Sequence, residues 1–170
     1  IETAGQLYWF SEYVDSNIQI AGAHTKHDSR DDVFTYHASA RLVADIVVNR
    51  NLMSKLTVAS DGTATVKEGE TLRQWNPIGD HCMYGGRFDG NYHTVSGLYC
   101  NDAEIRYAGL FGYVGHDAEI RNVGVTDSYL YGESYAGGLA SDTYNATIEN
   151  CFSTAVVCVA GYDVGGLVGY

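Results

Sequence analysis

Apolar positions in this chain recur with two different periods. From Thr3 to Ser16, Leu7, Phe10 and Val14 fall three and four residues apart, which predicts an amphipathic helix. Thr3 followed by Gln6 has the spacing of a capping box, so the helix is expected to start there. Further on the pattern tightens toward alternation. Asn17 to Ala23 and Ala40 to Val48 read as strands separated by a polar loop from His24 to His37. Asn49 to Arg73 is a second excursion and carries the turn signal Ser60-Asp61-Gly62.

From Gly85 to Tyr170 one pattern is written three times. Moving Ile120 to Ser141 forward by 28 positions lays Ile120 on Ile148, Asn122 on Asn150, Thr126 on Thr154 and Gly137-Gly138-Leu139 on Gly165-Gly166-Leu167. The same shift backwards lays Tyr135-Ala136-Gly137 on Tyr107-Ala108-Gly109. Val95 and Leu98 fall on Ile120 and Val123 at a shift of 25, which makes the first copy three residues shorter. A fixed period in the twenties implies one supersecondary unit stacked on itself, because no such unit buries an apolar face alone. The copies are rich in Val, Ile, Tyr, Phe and Thr and punctuated by Gly and Asn, so each is expected to hold two or three short strands.

The expected fold is therefore all-β: a parallel β-helix, a solenoid with coils of about 25–28 residues spaced by ~4.8 Å, its first coil covered by the short N-terminal helix. One module spans 1–170, with cap helix and loop in 1–39, a first coil with a long insertion in 40–84 and repeat coils in 85–170. In the last copy Ile148, Cys151, Ser153 and Cys158 are expected inside, with Glu149, Phe152 and Thr154 outside. Gly109, Gly137 and Gly165 mark bends into positive φ or close passage of neighbouring chain. Asn122 and Asn150 are either a stacked pair at a bend or solvated turn residues.

Composition narrows the partners. A net charge of −11 without a Lys/Arg cluster argues against nucleic acid, and no segment approaches the ~18 apolar residues of a membrane span. The chain opens at Ile1 without an initiator Met and stops at Tyr170 directly after Val164-Gly165-Gly166-Leu167-Val168-Gly169, without a polar cap. The expectation is a processed piece of a larger chain in which further coils follow. By register Cys151 stands for Val123 and Leu98, Cys158 for Leu130 and Cys100 for Val125, so these cysteines are expected as free thiols at core positions. A Cys151 to Cys158 bridge across one coil remains open on spacing.

Several motifs carry a resemblance: Ala44-Asp45-Ile46, Trp75-Asn76-Pro77-Ile78-Gly79, Phe88-Asp89-Gly90-Asn91-Tyr92-His93-Thr94-Val95-Ser96-Gly97-Leu98, Tyr107-Ala108-Gly109-Leu110-Phe111-Gly112 and the closing Val164 to Gly169. In these the chain resembles bacterial secreted and cell-surface proteins with GLUG repeats. The resemblance implies a right-handed parallel β-helix, exported, inside a larger adhesin-like protein. It also implies a possible place beside the catalytic domain of a surface metallopeptidase. Tyr92 departs from the family pattern, which has Gly there.

Candidate chemistry is sparse. His24 and His27, followed by Asp28, Asp31 and Asp32, have metal-like spacing, yet they lack a Cys partner, an HExxH helix or the glycine and terminal Glu of a calcium loop. No metal or cofactor is expected there, and the set reads as a polar binding loop together with Tyr36. His81, His93 and His116 are scattered, and no GxSxG nucleophile motif occurs. Carboxylates are out of register, Glu119 falling on Thr147 and Asp127 on Ala155, so the stacked acids of a polysaccharide lyase or glycoside hydrolase are not expected. Tyr129, Tyr131 and Tyr144 are read as exposed rings suited to a sugar face or a protein. The expected function is a non-catalytic extracellular or cell-surface module for adhesion, for binding a host or cell-surface glycan or protein, or for spacing. A β-helix carbohydrate-active enzyme is the competing class.

Overall fold

The computed structural model describes residues 1–16, 19–20, 33–102 and 104–170. Helix α1 (Ala4–Asp15) starts where the capping box sets it: Thr3 Oγ1 accepts the Gln6 N–H, and Gln6 Oε1 accepts the Thr3 N–H. Leu7, Phe10 and Val14 are buried in one cluster with Leu42, Ile46, Trp75, Ile78 and Phe88. Phe10 sits 6.2 Å from Phe88 and 6.3 Å from Tyr84, and the Ser11 hydroxyl donates to the Asn76 carbonyl. The helix thus closes the apolar side of the first strands with one face, as its spacing requires.

Next come β1 (Gln19–Ile20) and β2 (Val33–Phe34), an antiparallel pair. The expected strand Ala40 to Val48 is two short ones, β3 (Ala40–Arg41) and β4 (Ile46–Val47). The excursion from Asn49 is a 3-10 helix (Leu52–Lys55) and an antiparallel hairpin, β5 (Leu56–Val58) and β6 (Ala64–Val66). Its turn lies on the signal residues: Ala59 N–H donates to Thr63 O and Gly62 N–H to Ala59 O.

The repeats then supply a first copy with β7 (Arg87–Asp89), β8 (Thr94–Ser96), β9 (Tyr99–Asn101), β10 (Tyr107–Ala108) and β11 (Phe111–Val114). The second holds β12 (Glu119–Arg121), β13 (Gly124–Thr126), β14 (Tyr129–Gly132), β15 (Tyr135–Gly137) and β16 (Ala140–Thr143). The third holds β17 (Thr147–Glu149), β18 (Phe152–Ser153), β19 (Val156–Val159) and β20 (Asp163–Gly165). The result is a mostly-strand, β-helix-like arrangement of parallel sheets with one α-helix among the described residues. Each parallel sheet takes one strand per copy, in the orders β3-β7-β12-β17, β4-β8-β13-β18, β9-β14-β19, β10-β15-β20 and β11-β16. Complete copies carry five strands rather than two or three, because Asn and Gly corners cut the chain after every two to four strand residues.

Alternation places the core. The row Ala40, Phe88, Ile120 and Ile148 runs across the first of these sheets toward the interior, and Ile46, Val95, Val125 and Ser153 do the same in the second. At the corner between them Asn122 and Asn150 adopt φ of 56° and 53° and stack, Asn150 Nδ2 donating to Asn122 Oδ1 and Asn122 Nδ2 to Asp89 Oδ1. Of the two readings of these residues, the stacked pair is the one observed. Gly109, Gly137 and Gly165 do not have positive φ; a Cβ there would land on the carbonyl oxygens of Phe111, Ala140 and Val168. Close passage of the chain, rather than a left-handed bend, requires glycine at these sites.

Two registers differ from expectation. Val95 pairs with Val125, Phe88 with Ile120, and Cys100 with Leu130, so the 25-residue shift is wrong and the first copy is longer than the second. The false match aligned two similar turns at different corners. Gly90 to His93 and Gly115 to Ala118 are both two-residue turns with positive φ at their central residues, closed by His93 N–H on Gly90 O and Ala118 N–H on Gly115 O. In the third copy Val157 pairs with Leu130 and Cys158 with Tyr131, because a single residue, Ala155, separates Thr154 from β19 where Asp127 and Ser128 precede β14. A slip of one residue turns a side chain to the opposite face, so Cys158 lies against the hairpin beside Gly62 instead of in the core. All four cysteines are free thiols.

Candidate binding surfaces

Of the residues expected to bind, His24, His27, Asp28, Asp31 and Asp32 lie outside the described residues. Tyr36 sits in a 3-10 turn (Thr35–His37) where aromatic rings gather. Its ring is 5.3 Å from Phe34, 4.4 Å from His37 and 5.6 Å from His116, and its backbone carbonyl accepts the Gly85 N–H. This cluster joins β2 to the corner after β11 and packs partly on the core, so Tyr36 positions the end of the loop rather than presenting a free face.

The three repeat tyrosines do not form one platform. Tyr129 is fully buried, in a second small core with Leu52, Leu56 and Ala64, and its hydroxyl donates to Gly62 O at 2.6 Å. Burial pushes this phenol above its ordinary range. Tyr131 packs on the same cluster and is partly buried. Only Tyr144 is open to solvent, at a separate corner after β16. The reason is the excursion from Asn49, which folds back as a lid over β14. Asp127, at φ of 44°, accepts the Leu52 and Met53 N–H groups with its two carboxylate oxygens and so ties the lid to the repeats.

A surface that the pattern did not disclose lies between α1 and the first strands. One cleft of about 470 Å³ is lined by Gln6, Trp9, Phe10, Ser39, Ala40 and Arg41. A second of about 400 Å³ shares Ser39, Ala40 and Arg41 with it and continues along Arg87, Phe88, Asp89 and Arg121. Trp9 is 60% exposed and stacked on Tyr13, ring centroids 5.0 Å apart and planes at 12°. The helix creates this pair because residues four apart share a face.

Parallel register builds the charged floor. Outward residues on β3, β7, β12 and β17 form the row Arg41, Asp89, Arg121, Glu149, and beside it Arg87, Glu119, Thr147. Arg87 faces Glu119 at 3.3 Å, Arg121 also pairs with Glu119, and Arg41 lies 3.9 Å from Asp89 while donating to Asn91 Oδ1. Hydrogen bonds from the Asn91 N–H and from Asn122 hold the Asp89 carboxyl below its ordinary value. Sequence reasoning missed the arginines because the 25-residue shift never brought Arg87, Asp89, Glu119 and Arg121 into one row.

A third cleft, about 280 Å³, is acidic: Glu12, Asp15, Asp80 and His81 line it with Ser11, Ser16 and Asn76. Burial raises the Asp15 carboxyl to about 6 and the neighbouring Cys82 thiol to about 12. Among the described residues no group of three or more His, Cys, Asp or Glu is placed to hold a metal ion. Among them, too, no helix is long and apolar enough to cross a membrane.

Comparison with known proteins gives two similarities. Over 80 residues, 45% of the chain, it is 32% identical to a protein of Evansella cellulosilytica named as a Gly-rich membrane protein. Over 130 residues, 71% of the chain, it is 30% identical to Halomucin of Haloquadratum walsbyi. The matches span 9% and 1% of those proteins' lengths, so the chain corresponds to a small part of each. No family model matches the chain. No solved structure matches it.

Proposed function

We propose that this chain is a non-catalytic, extracellular or cell-surface module of a longer protein, built as a right-handed parallel β-helix of the GLUG-repeat kind. One observation carries the reading: every parallel sheet takes one strand from each successive copy, with the repeat register kept between β12 and β17 and along β10-β15-β20, so most repeat residues serve the stack itself. The acids of the repeat strands support it further. Asp89 faces Arg121, Glu119 faces Arg87 and Thr147, and Asp142 faces Tyr113, whereas glycoside hydrolysis calls for two carboxyl groups flanking one bond. The names of the two similar proteins, a membrane protein and Halomucin, fit a surface location.

The module then holds binding surfaces away from the rest of its parent or presents them to a glycan or protein. Incubation of the 170-residue protein with acidic and neutral polysaccharides tests the non-catalytic half. No new reducing or unsaturated ends are expected. Cleavage that copurifies with the protein, and that is abolished by substituting Asp15, Asp80, Asp89 or Glu119, refutes it. Antibody labelling of intact cells making the parent protein tests the location, and labelling seen only after permeabilisation refutes that half.

A further inference from the structure

We propose that the double cleft beside α1 is a binding site for acidic saccharides, with uronate carboxylates held by Arg41, Arg87 and Arg121 and a sugar ring laid on Trp9. The site is separate from the loop residues expected from sequence, and it does not depend on the module being a spacer or an adhesin.

Charge distribution is the first argument. The chain carries 21 Asp and Glu against 10 Lys and Arg, yet the second cleft is lined by three arginines and one acid. That acid, Asp89, is already engaged by the Asn91 N–H and the Asn122 amide. Glu119, which pairs with two of the arginines, and Glu149, opposite Arg121 on β17, lie outside the cleft lining, so the excess of arginine is confined to the cleft itself. Each guanidinium has five donors, and the arginine side chains are 43–75% exposed, a setting in which such pairs are worth about 1 kcal/mol or less, so an incoming carboxylate competes for them. Planar carboxylates meet guanidinium groups in a bidentate fork, which favours uronates over neutral sugars.

The aromatic platform is the second argument. Alternation along β3, β7, β12 and β17 accounts for Arg41 and Arg121 as members of a charge ladder, but it accounts neither for an exposed Trp9 nor for the cleft between them. Tyr13 stacks on the indole, and with Trp9 60% exposed, ring surface is left for the C–H face of a pyranose. Ser39 and Gln6 line the same cleft as polar partners. With volumes of about 470 and 400 Å³ meeting at Arg41, the clefts fit an oligosaccharide of several residues, each cleft within the usual ligand-pocket range.

The chain has two tryptophans, and Trp75 is fully buried, so Trp9 reports on its own cleft. Titration of the full 170-residue chain with oligogalacturonate is expected to give a saturable shift in tryptophan emission, absent in Trp9→Phe. Calorimetry on the same variant is expected to show several-fold weaker binding. Arg41→Gln and Arg87→Gln are expected to weaken binding about tenfold each, with unchanged far-UV spectra. A neutral glucan oligosaccharide of equal length is expected to bind at least about tenfold more weakly. The proposal is overturned by any of four results: no saturable binding at millimolar oligogalacturonate, equal affinity for the neutral chain, arginine variants within twofold of wild type, or tighter binding of a sulfated oligosaccharide or an acidic peptide. Arg87 has the most exposed side chain of the three, so its variant keeps the test valid if another fails to fold.

Discussion

Tyr92 occupies a backbone position that disfavours it. With Asn91 at φ of 51° and Tyr92 at φ of 65°, and the His93 N–H closing on Gly90 O, residues 90–93 form a two-residue turn whose central positions both want left-handed geometry. Asn tolerates that conformation; a non-glycine aromatic residue bears about 1–2 kcal/mol of strain in it. The ring is 80% exposed and returns little burial energy. Tyr92→Gly removes the strain but gives the unfolded chain more freedom, a loss of about 0.4–1 kcal/mol. Tyr92→Ala removes the same ring contacts while keeping a Cβ, so the difference between the two variants isolates the backbone term. Glycine is expected to be more stable than alanine by about 1 kcal/mol, or roughly 3 °C in Tm for a chain of this size. Thermal melts followed by circular dichroism measure it. An alanine variant as stable as the glycine one refutes the argument that backbone geometry dominates at this turn.

Other substitutions probe other links. Asp15 has a folded-state pKa raised to about 6 by burial, with Asp80 adding repulsion and the His81 N–H, the Cys82 thiol and the His81 charge opposing the rise. A raised carboxylate pKa means stability is greatest at acid pH and declines as pH climbs from about 4 through about 6. Asp15→Asn is therefore expected to raise Tm at pH 7 and leave it unchanged near pH 4, with about 1–2 kcal/mol at stake after allowing for solvent screening; equal effects at both pH values contradict the assignment. Asp127→Ala is expected to cost about 2 kcal/mol and to speed amide exchange at Leu52, Met53 and the hairpin, since both carboxylate bonds to the lid disappear; unchanged exchange there contradicts the anchoring role. Gly109→Ala is expected to cost about 1–3 kcal/mol through collision with the Phe111 carbonyl, and a neutral result in a denaturant melt contradicts the close approach.

The helix and the hairpin turn were legible because their signals are local. Thr3 with Gln6, and Ser60-Asp61-Gly62, act within a few residues of where they stand. The 28-residue match was legible for the same reason at one remove: Tyr107 does pair with Tyr135 and Ile120 with Ile148. Pairings that crossed an irregular corner were not. Gly90-Asn91-Tyr92-His93 and Gly115-His116-Asp117-Ala118 share a leading glycine and a turn geometry while turning different corners, and the loss of one residue before β19 moved Cys158 to the outer face. Tyr129 looked exposed because nothing in its own copy says that residues more than sixty positions earlier will cover it. The arginine floor was hidden twice over, by the misjudged register and by the need for α1 to bring Trp9 beside it.

Asn49 gives the excursion from 49 to 73 its meaning. Its Nδ2 donates to the Arg73 and Gly97 carbonyls at 2.9 and 2.8 Å, and its Oδ1 accepts the Arg73 N–H at 2.8 Å. One side chain thereby sutures the point where the backbone departs to the point where it returns. The pairing of β4, β8 and β13 continues past this corner without using the residues in between, so the length of chain threaded there is not set by the stack. Chain statistics set the toll: doubling a flexible guest's length costs only about 0.6 kcal/mol in closure entropy. The guest has to keep a roof over Tyr129, which Leu52, Leu56, Ala64 and the Gly62 carbonyl now provide, and the Asp127 bonds to Leu52 and Met53 that hold it down. The hairpin tip between Ala59 and Thr63 belongs to that roof as well, since the Gly62 carbonyl takes the Tyr129 hydroxyl and Gly62 lies against Cys158, so a peptide grafted there would be displayed only where it leaves Gly62 in place.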